Sequence, residues 1–100
     1  MKFFKKELFT LFAHVRISGR VQGVGFRFTA KLAALEYGLT GWVKNKMDGT
    51  VEMEVTGEKE SVEAYLDSVQ AGLNASIQVE HMEIEKKEDS SKEFSTFSIE

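Results

Sequence analysis

Regular alternation of side chains marks the first element of the chain. From residue 11 to residue 18, every odd-numbered residue is apolar, and this period of two is typical of a strand with one buried face. The side expected in the core carries Leu11, Ala13, Val15 and Ile17, and the opposite side carries Phe12, His14, Arg16 and Ser18. The pattern therefore predicts a half-buried first strand.

Two later stretches repeat their apolar residues at helical spacing. In the first, the stripe expected to face the core consists of Phe28, Leu32, Leu35 and Leu39, and Gly38 is well placed to end the helix. The second runs from about residue 59 to 73, with an apolar face made of Val62, Tyr65, Leu66, Val69 and Leu73. Gly72 lies too early to be a simple stop, which leaves the end of this helix open.

A hairpin is predicted between the two helices. Residues 41–45 have the composition of a strand, and Asp48-Gly49 is a strong turn signal. Residues 50–56 then alternate, with Val51, Met53 and Val55 facing inward. Gly57 is expected to close this third strand.

The last third of the chain predicts two more strands. The fourth covers about residues 77–85, and its expected core members are Val79, Met82 and Ile84. Their spacing changes parity once, which indicates a β-bulge. Residues 86–93 are polar and charged and predict a loop, and residues 94–99 predict a short final strand.

The resulting order is β-α-β-β-α-β with an added C-terminal edge strand. Two helices with apolar faces are most economically buried on one side of a single antiparallel sheet, with the first and third strands at its centre. This α+β arrangement is the ferredoxin-like sandwich. We expect residues 11–100 to form this domain and residues 1–10 to be an N-terminal extension.

Composition narrows the class of protein. One hundred residues are enough for a single domain. The net charge of −3 argues against a protein that binds nucleic acid through a high overall positive charge. The chain has no cysteine, which fits a cytoplasmic location. No apolar run approaches a membrane span, and Glu7 interrupts the stretch that would imitate a signal peptide, so we interpret it as uncleaved.

The glycine-rich run from Gly19 to Arg27 is the main candidate for chemistry. It joins the first strand to the first helix, where glycines allow successive backbone N–H groups to form a nest for an anion. The helix dipole adds positive potential, and Arg27 stands beside the nest with a guanidinium suited to phosphate. The run matches neither a Walker loop nor a dinucleotide fingerprint. It predicts a phosphate-binding loop with an arginine clamp.

Asn45 and the two histidines are weaker candidates. Asn45 ends the second strand, where its amide could either cap the turn or orient a water molecule. His14 and His81 are the only imidazoles, and they lack the paired spacing of metal ligands. We therefore predict no metal site.

These motifs resemble the acylphosphatase family. The similarity rests on GRVQGVGFR at 19–27, GLTGWVKN at 38–45 and DGTVE at 48–52, and it extends over about residues 11–99. It implies a ferredoxin-like hydrolase that splits the carboxyl–phosphate bond of small acyl phosphates without metal or cofactor.

The resemblance also implies roles for individual residues. Arg27 and Asn45 would be the catalytic pair, with Arg27 on the phosphoryl group and Asn45 on the attacking water. The backbone amides that would hold the phosphoryl oxygens belong to Gln22, Gly23, Val24, Gly25 and Phe26. The expected partner is a small acyl phosphate, or phosphate or a similar anion in the loop; we expect no nucleic acid, no membrane, and a monomer.

Two other functions remain open at this point. A non-catalytic anion-binding module would bind phosphate without turnover. An RNA-binding module of the same topology would need aromatic residues on a basic sheet, whereas this chain presents Glu52 and Glu54 beside Phe12. Binding of single-stranded RNA that weakens with salt would support that alternative.

Overall fold

Strands and helices follow one another in the predicted order. The computed structural model describes residues 9–90 and 92–100, so residues 1–8 of the expected extension lie outside the described part. The elements are β1 (Thr10–Arg20), α1 (Phe26–Glu36), β2 (Thr40–Asn45), β3 (Val51–Glu58), α2 (Lys59–Gln70), β4 (Gln78–Glu88) and β5 (Phe97–Ile99). Within the described ranges, neither helix has the length and apolar character needed to cross a bilayer.

The strands form one sheet in the order β4-β1-β3-β2-β5. The central position of β1 and β3 is as predicted, and these two strands pair antiparallel with Val15 opposite Met53. Strand β5 instead runs parallel to β2, with Phe97 opposite Gly41, so the five-stranded sheet is mixed. One face of the sheet is covered by the two helices, as expected for a ferredoxin-like sandwich.

Strand β4 differs from the prediction at its end. Residues 86–88, expected in a loop, continue the strand because their backbone pairs with β1, where Leu11 lies opposite Glu88. The predicted bulge is present, since the register shifts between Ser18 and Gly19. Of the expected core members, Ile84 is partly exposed because β4 is an edge strand.

Helix α2 buries the predicted face. The side chains of Val62, Tyr65, Leu66 and Val69 are buried, and Leu73 packs against the core from beyond the helix. The phenol of Tyr65 donates a hydrogen bond of 2.9 Å to the Ala30 carbonyl, which joins the two helices. Gly72 does terminate the helix, because it takes the left-handed conformation at φ 88° and its N–H donates a hydrogen bond to the Val69 carbonyl.

Helix α1 buries a different face from the one predicted. Its buried residues are Phe26, Ala30 and Ala34, whereas Phe28, Leu32 and Leu35 are 61%, 45% and 47% exposed. Leu39 is buried, but it follows the helix. The helix lies over β2 and β5, and two alanines on the contact face let its backbone approach the sheet closely. The leucine stripe therefore faces outward, and the expectation that it lines the core is wrong.

Candidate active site

The glycine loop ends in a left-handed turn that opens α1. Gly23 and Gly25 have φ angles of 75° and 77°, and Gly25 occupies the position just before the helix. Nothing lies within 4 Å of the place where a side chain would begin on either residue, so the loop is open on that side. The first turn of α1 carries no acidic residue. Its N–H groups therefore face a space that an anion can enter.

Arg27 and Asn45 line one small cavity with this loop. The cavity has a volume of about 210 Å³. Its walls are Val21, Gly23, Gly25, Phe26, Arg27, Phe28, Asn45 and Ile99. The residues predicted from the loop and from the end of β2 thus meet here, although Gln22 and Val24 are not among the lining residues. A larger cavity, about 520 Å³, lies at the other end of the sheet beside Thr10 and Gly38, away from these groups.

The side-chain oxygen of Asn45 is buried and has no hydrogen-bond donor among the described residues. Asn45 is the last residue of β2 and pairs with Val51 of β3, which fixes its backbone. Its Oδ1 atom accepts no hydrogen bond from residues 9–90 and 92–100. Since nearly all buried polar atoms in proteins have a partner, this oxygen keeps an unused capacity to accept a hydrogen bond.

The guanidinium of Arg27 is held only loosely. Its Nη1 atom donates a long hydrogen bond of 3.4 Å to the main-chain oxygen of Glu100. Among the described residues, no ion pair joins Arg27 to a side-chain carboxylate. Most of its N–H donors are therefore available to an anion at the start of α1.

Gln22 has a role that the sequence did not indicate. Its side-chain Nε2 donates hydrogen bonds of 2.8 Å to the carbonyl oxygens of both Lys46 and Thr50. These residues also close the turn between β2 and β3, because Lys46 N–H donates to Thr50. The side chain thereby ties the glycine loop to the strand end that carries Asn45. No local pattern reveals this contact, since both acceptors are backbone atoms far along the chain.

His14 lies away from the cavity, on the sheet face that the helices leave uncovered. Its Nε2 atom is 2.7 Å from Oε2 of Glu52, and Lys46 Nζ is 3.2 Å from the other oxygen of the same carboxylate. The hydrogen bond from His14, followed by the contact with Lys46, holds the pKa of Glu52 below its usual value. His81 is exposed, 3.8 Å from Glu83.

Metal ligands do not cluster around the cavity. Across residues 9–90 and 92–100, no group of three or more histidine or acidic side chains could hold a metal ion. What the cavity offers is a guanidinium, an amide and a row of backbone N–H groups.

Comparison with known proteins places this chain in a family. The family model for acylphosphatase matches residues 13–99. An acylphosphatase of Geobacillus kaustophilus is 49% identical over 82 residues, which covers 81% of this chain and 87% of the relative. The crystal structure of acylphosphatase from Bacillus subtilis superposes with a TM-score of 0.82 at 34% identity, covering 89% of this chain and 97% of that one.

A larger protein contains a similar unit. The structure of HypF from T. kodakarensis matches with a TM-score of 0.74 at 32% identity. The match covers 90% of this chain but 12% of that protein.

The fold and the matched relatives together place the chain in a class of small hydrolases built on a ferredoxin-like sandwich. The chain belongs to the acylphosphatase family. It is accordingly an enzyme, with the acylphosphatase activity of that family.

Proposed function

We propose that the enzyme splits the carboxyl–phosphate bond of small acyl phosphates by in-line attack of water at phosphorus. The products are a carboxylate and inorganic phosphate. The observation that carries the proposal is the cavity itself, in which Arg27 and Asn45 converge on the open side of the glycine loop.

The phosphoryl group would bind at the start of α1. The backbone N–H groups of residues 22–26 supply the donors, and Arg27 supplies the compensating charge. Each hydrogen bond to a charged group contributes about 1.5–3 kcal/mol, so a few of them stabilise the charge on the equatorial oxygens substantially. Because these donors are fixed before the substrate arrives, they need little reorganisation during the reaction.

Asn45 would position the attacking water. Its buried Oδ1 atom accepts a hydrogen bond from the water and aims the oxygen at phosphorus, opposite the leaving carboxylate. An amide does not titrate, so it orients the water without removing a proton from it. A carboxylate is a good leaving group, and the substrate phosphate can take the water's proton. The site then needs mainly positioning and electrostatic stabilisation.

The test is hydrolysis of benzoyl phosphate in the presence of a chelator. We expect turnover by the wild type, and a loss of about 10²-fold or more in Arg27→Ala and in Asn45→Ala, from the cost of removing comparable transition-state groups. Lys31→Ala is the matched control, one helical turn beyond Arg27 and outside the cavity lining. Circular dichroism confirms that each variant is folded.

Wild-type-like turnover in either active-site variant would contradict the assigned roles. Phosphate binding by a folded wild type that hydrolyses no acyl phosphate would instead favour a non-catalytic anion-binding module. Activity that disappears with the chelator would contradict a metal-independent reaction.

We further propose that the enzyme works as a monomer in the cytoplasm. In support, β2, the glycine loop, α1 and β5 together form the cavity walls, so the chain itself supplies every group that the proposed mechanism uses. The cysteine-free sequence suits a reducing compartment. Light scattering during gel filtration measures the mass, and a dimer that persists on dilution would contradict the monomer.

A further inference from the structure

Two large apolar side chains stand exposed at the rim of the catalytic cavity. Phe28 is 61% exposed on the first turn of α1, and Ile99 is 40% exposed on β5. Both line the same cavity as Arg27 and Asn45. They come from separate elements, so their placement together depends on the fold and not on neighbouring positions in the sequence.

The packing of α1 does not account for Phe28. The helix is held to the sheet through Phe26, Ala30 and Ala34, and its contacts are with β2 and β5. Phe28 is therefore free to contact a ligand without loosening the helix. Exposed aromatic surface that adjoins a cavity is removed from water when an apolar group binds there.

The charges of the cavity limit what can bind beside the phosphoryl group. Among the described residues that line it, Arg27 is the only charged side chain. If Arg27 binds the phosphoryl group, no other charged side chain among the lining residues could neutralise a charge on the acyl group. Apart from Asn45 and the backbone of the glycine loop, the remaining wall is apolar, which favours a neutral hydrocarbon group.

We infer that Phe28 and Ile99 form an acyl-group subsite that selects acyl phosphates with an apolar aryl or branched alkyl group. The inference rests on the proposed function, because it places the phosphoryl group at Arg27 and the glycine loop. With that group fixed and Asn45 holding the water, the acyl group leaves on the side away from the water. Contact of the acyl group with the aromatic ring of Phe28 and the branched chain of Ile99 strengthens binding.

The test compares benzoyl phosphate with acetyl phosphate in the wild type, Phe28→Ala and Ile99→Ala. From the usual strength of an aromatic contact, the ratio of KM for benzoyl phosphate to KM for acetyl phosphate should rise about fivefold in Phe28→Ala. A smaller rise of about threefold is expected in Ile99→Ala. The change should fall on KM more than on kcat, and Phe28→Leu should restore most of the selectivity.

Leu32→Ala is the matched control. Leu32 is an exposed apolar residue on the same helix, one turn beyond Phe28, and it does not line the cavity. We expect its KM ratio to equal that of the wild type. Inhibition by inorganic phosphate measures the phosphoryl site separately and should be similar in Phe28→Ala and the wild type.

Each contrary result has its own meaning. If the wild type hydrolyses both substrates but Phe28→Ala changes both KM values by the same factor, the acyl subsite is overturned and the proposed function stands. An equal change of the ratio in Leu32→Ala would also overturn it. If the folded wild type hydrolyses neither substrate, the proposed function fails and the subsite fails with it.

Discussion

The two helices cover the same face of the sheet, but they are attached to it differently. Helix α2 lies over β1, β3 and β4 and buries large side chains, among them Tyr65 and Leu66. Helix α1 lies over β2 and β5 and buries Phe26 with two alanines, while its leucines face outward. Helix α2 thus buries four medium-sized to large side chains, whereas α1 buries one large side chain and two small ones.

This difference matches what each helix does. Helix α2 lies over the centre of the sheet and contributes to the core. Helix α1 begins at the glycine loop and carries Arg27, and the loop before it is tied to the β2–β3 turn by Gln22. Polar contacts of defined geometry can fix the relative position of reacting groups more tightly than non-directional apolar contacts.

The largest expected effect contrasts a leucine on each helix. Leu66→Ala in α2 should lower the free energy of unfolding by about 2–5 kcal/mol, because Leu66 is 4% exposed and its removal leaves a cavity. Leu32→Ala in α1 should change stability by less than about 0.5 kcal/mol. Urea unfolding of the two variants measures the difference. Equal losses would mean that α1 is also held by its leucines.

The reverse substitution addresses the alanine face. Ala34→Leu should destabilise the protein by about 1–3 kcal/mol, because Ala34 is fully buried where α1 meets the sheet. Ala64→Leu, at an exposed position of α2, is the control and should have little effect. Thermal unfolding followed by circular dichroism distinguishes them. A stable Ala34→Leu variant would show that α1 can move away from the sheet.

Gln22→Met tests the polar attachment of the loop. Methionine keeps the length of the side chain but removes the donors to Lys46 and Thr50, so we expect a loss of about 1–2 kcal/mol in stability. Turnover of benzoyl phosphate should fall by about tenfold, since the loop and Asn45 would no longer be held in register. If stability falls as expected and turnover does not, the tether serves the fold alone.

The smallest expected effect depends on pH. Glu52 accepts a hydrogen bond from His14 and pairs with Lys46, and these contacts hold the pKa of Glu52 in the folded protein below the usual value of 4.5. Because folding favours the charged form, the stabilisation is present above about pH 4.5 and is lost as the pH falls through the folded pKa. Glu52→Gln should therefore cost up to about 1 kcal/mol at pH 6 and progressively less at lower pH.

A variant with the same charge change away from this contact controls for net charge. Glu93→Gln alters an exposed residue and should follow the pH profile of the wild type. Urea unfolding between pH 3 and pH 7 gives the comparison. If Glu52→Gln lowers the free energy of unfolding by the same amount at every pH in this range, the loss does not come from the lowered pKa of Glu52.

The sequence predicts the buried face of an element well where its apolar side chains are the ones that are buried. The alternation in β1 and the apolar face of α2 identify the buried residues, because both elements lie against the middle of the core. In α1 the spacing correctly predicts a helix but indicates the wrong side. The buried alanines of α1 are too small to stand out in the hydrophobic pattern. The exposed leucines dominate that pattern and indicate the opposite side of the helix. The extension of β4 is missed because it pairs through backbone atoms with polar side chains outside.

The candidate site was predicted in part. The sequence singles out the glycine loop, Arg27 and Asn45, and the structure places them around one cavity; their catalytic roles stay predictions. The Gln22 tether could not be predicted, because its acceptors are carbonyl groups that only the folded hairpin brings close. The rim formed by Phe28 and Ile99 was missed for the same reason, since the two residues meet only in the finished sheet.

The central place of β1 has a consequence for how the molecule assembles. A ribosome makes this strand before both of its neighbours in the sheet, since Leu11 lies opposite Gly57 on one side and Glu88 on the other. Pairing over such separations requires the closure of long loops before any contact is gained, which slows folding. During synthesis β1 therefore has no partner strand of its sheet until the hairpin and then β4 have emerged, and its two unpaired edges are open to contacts with other chains in that interval.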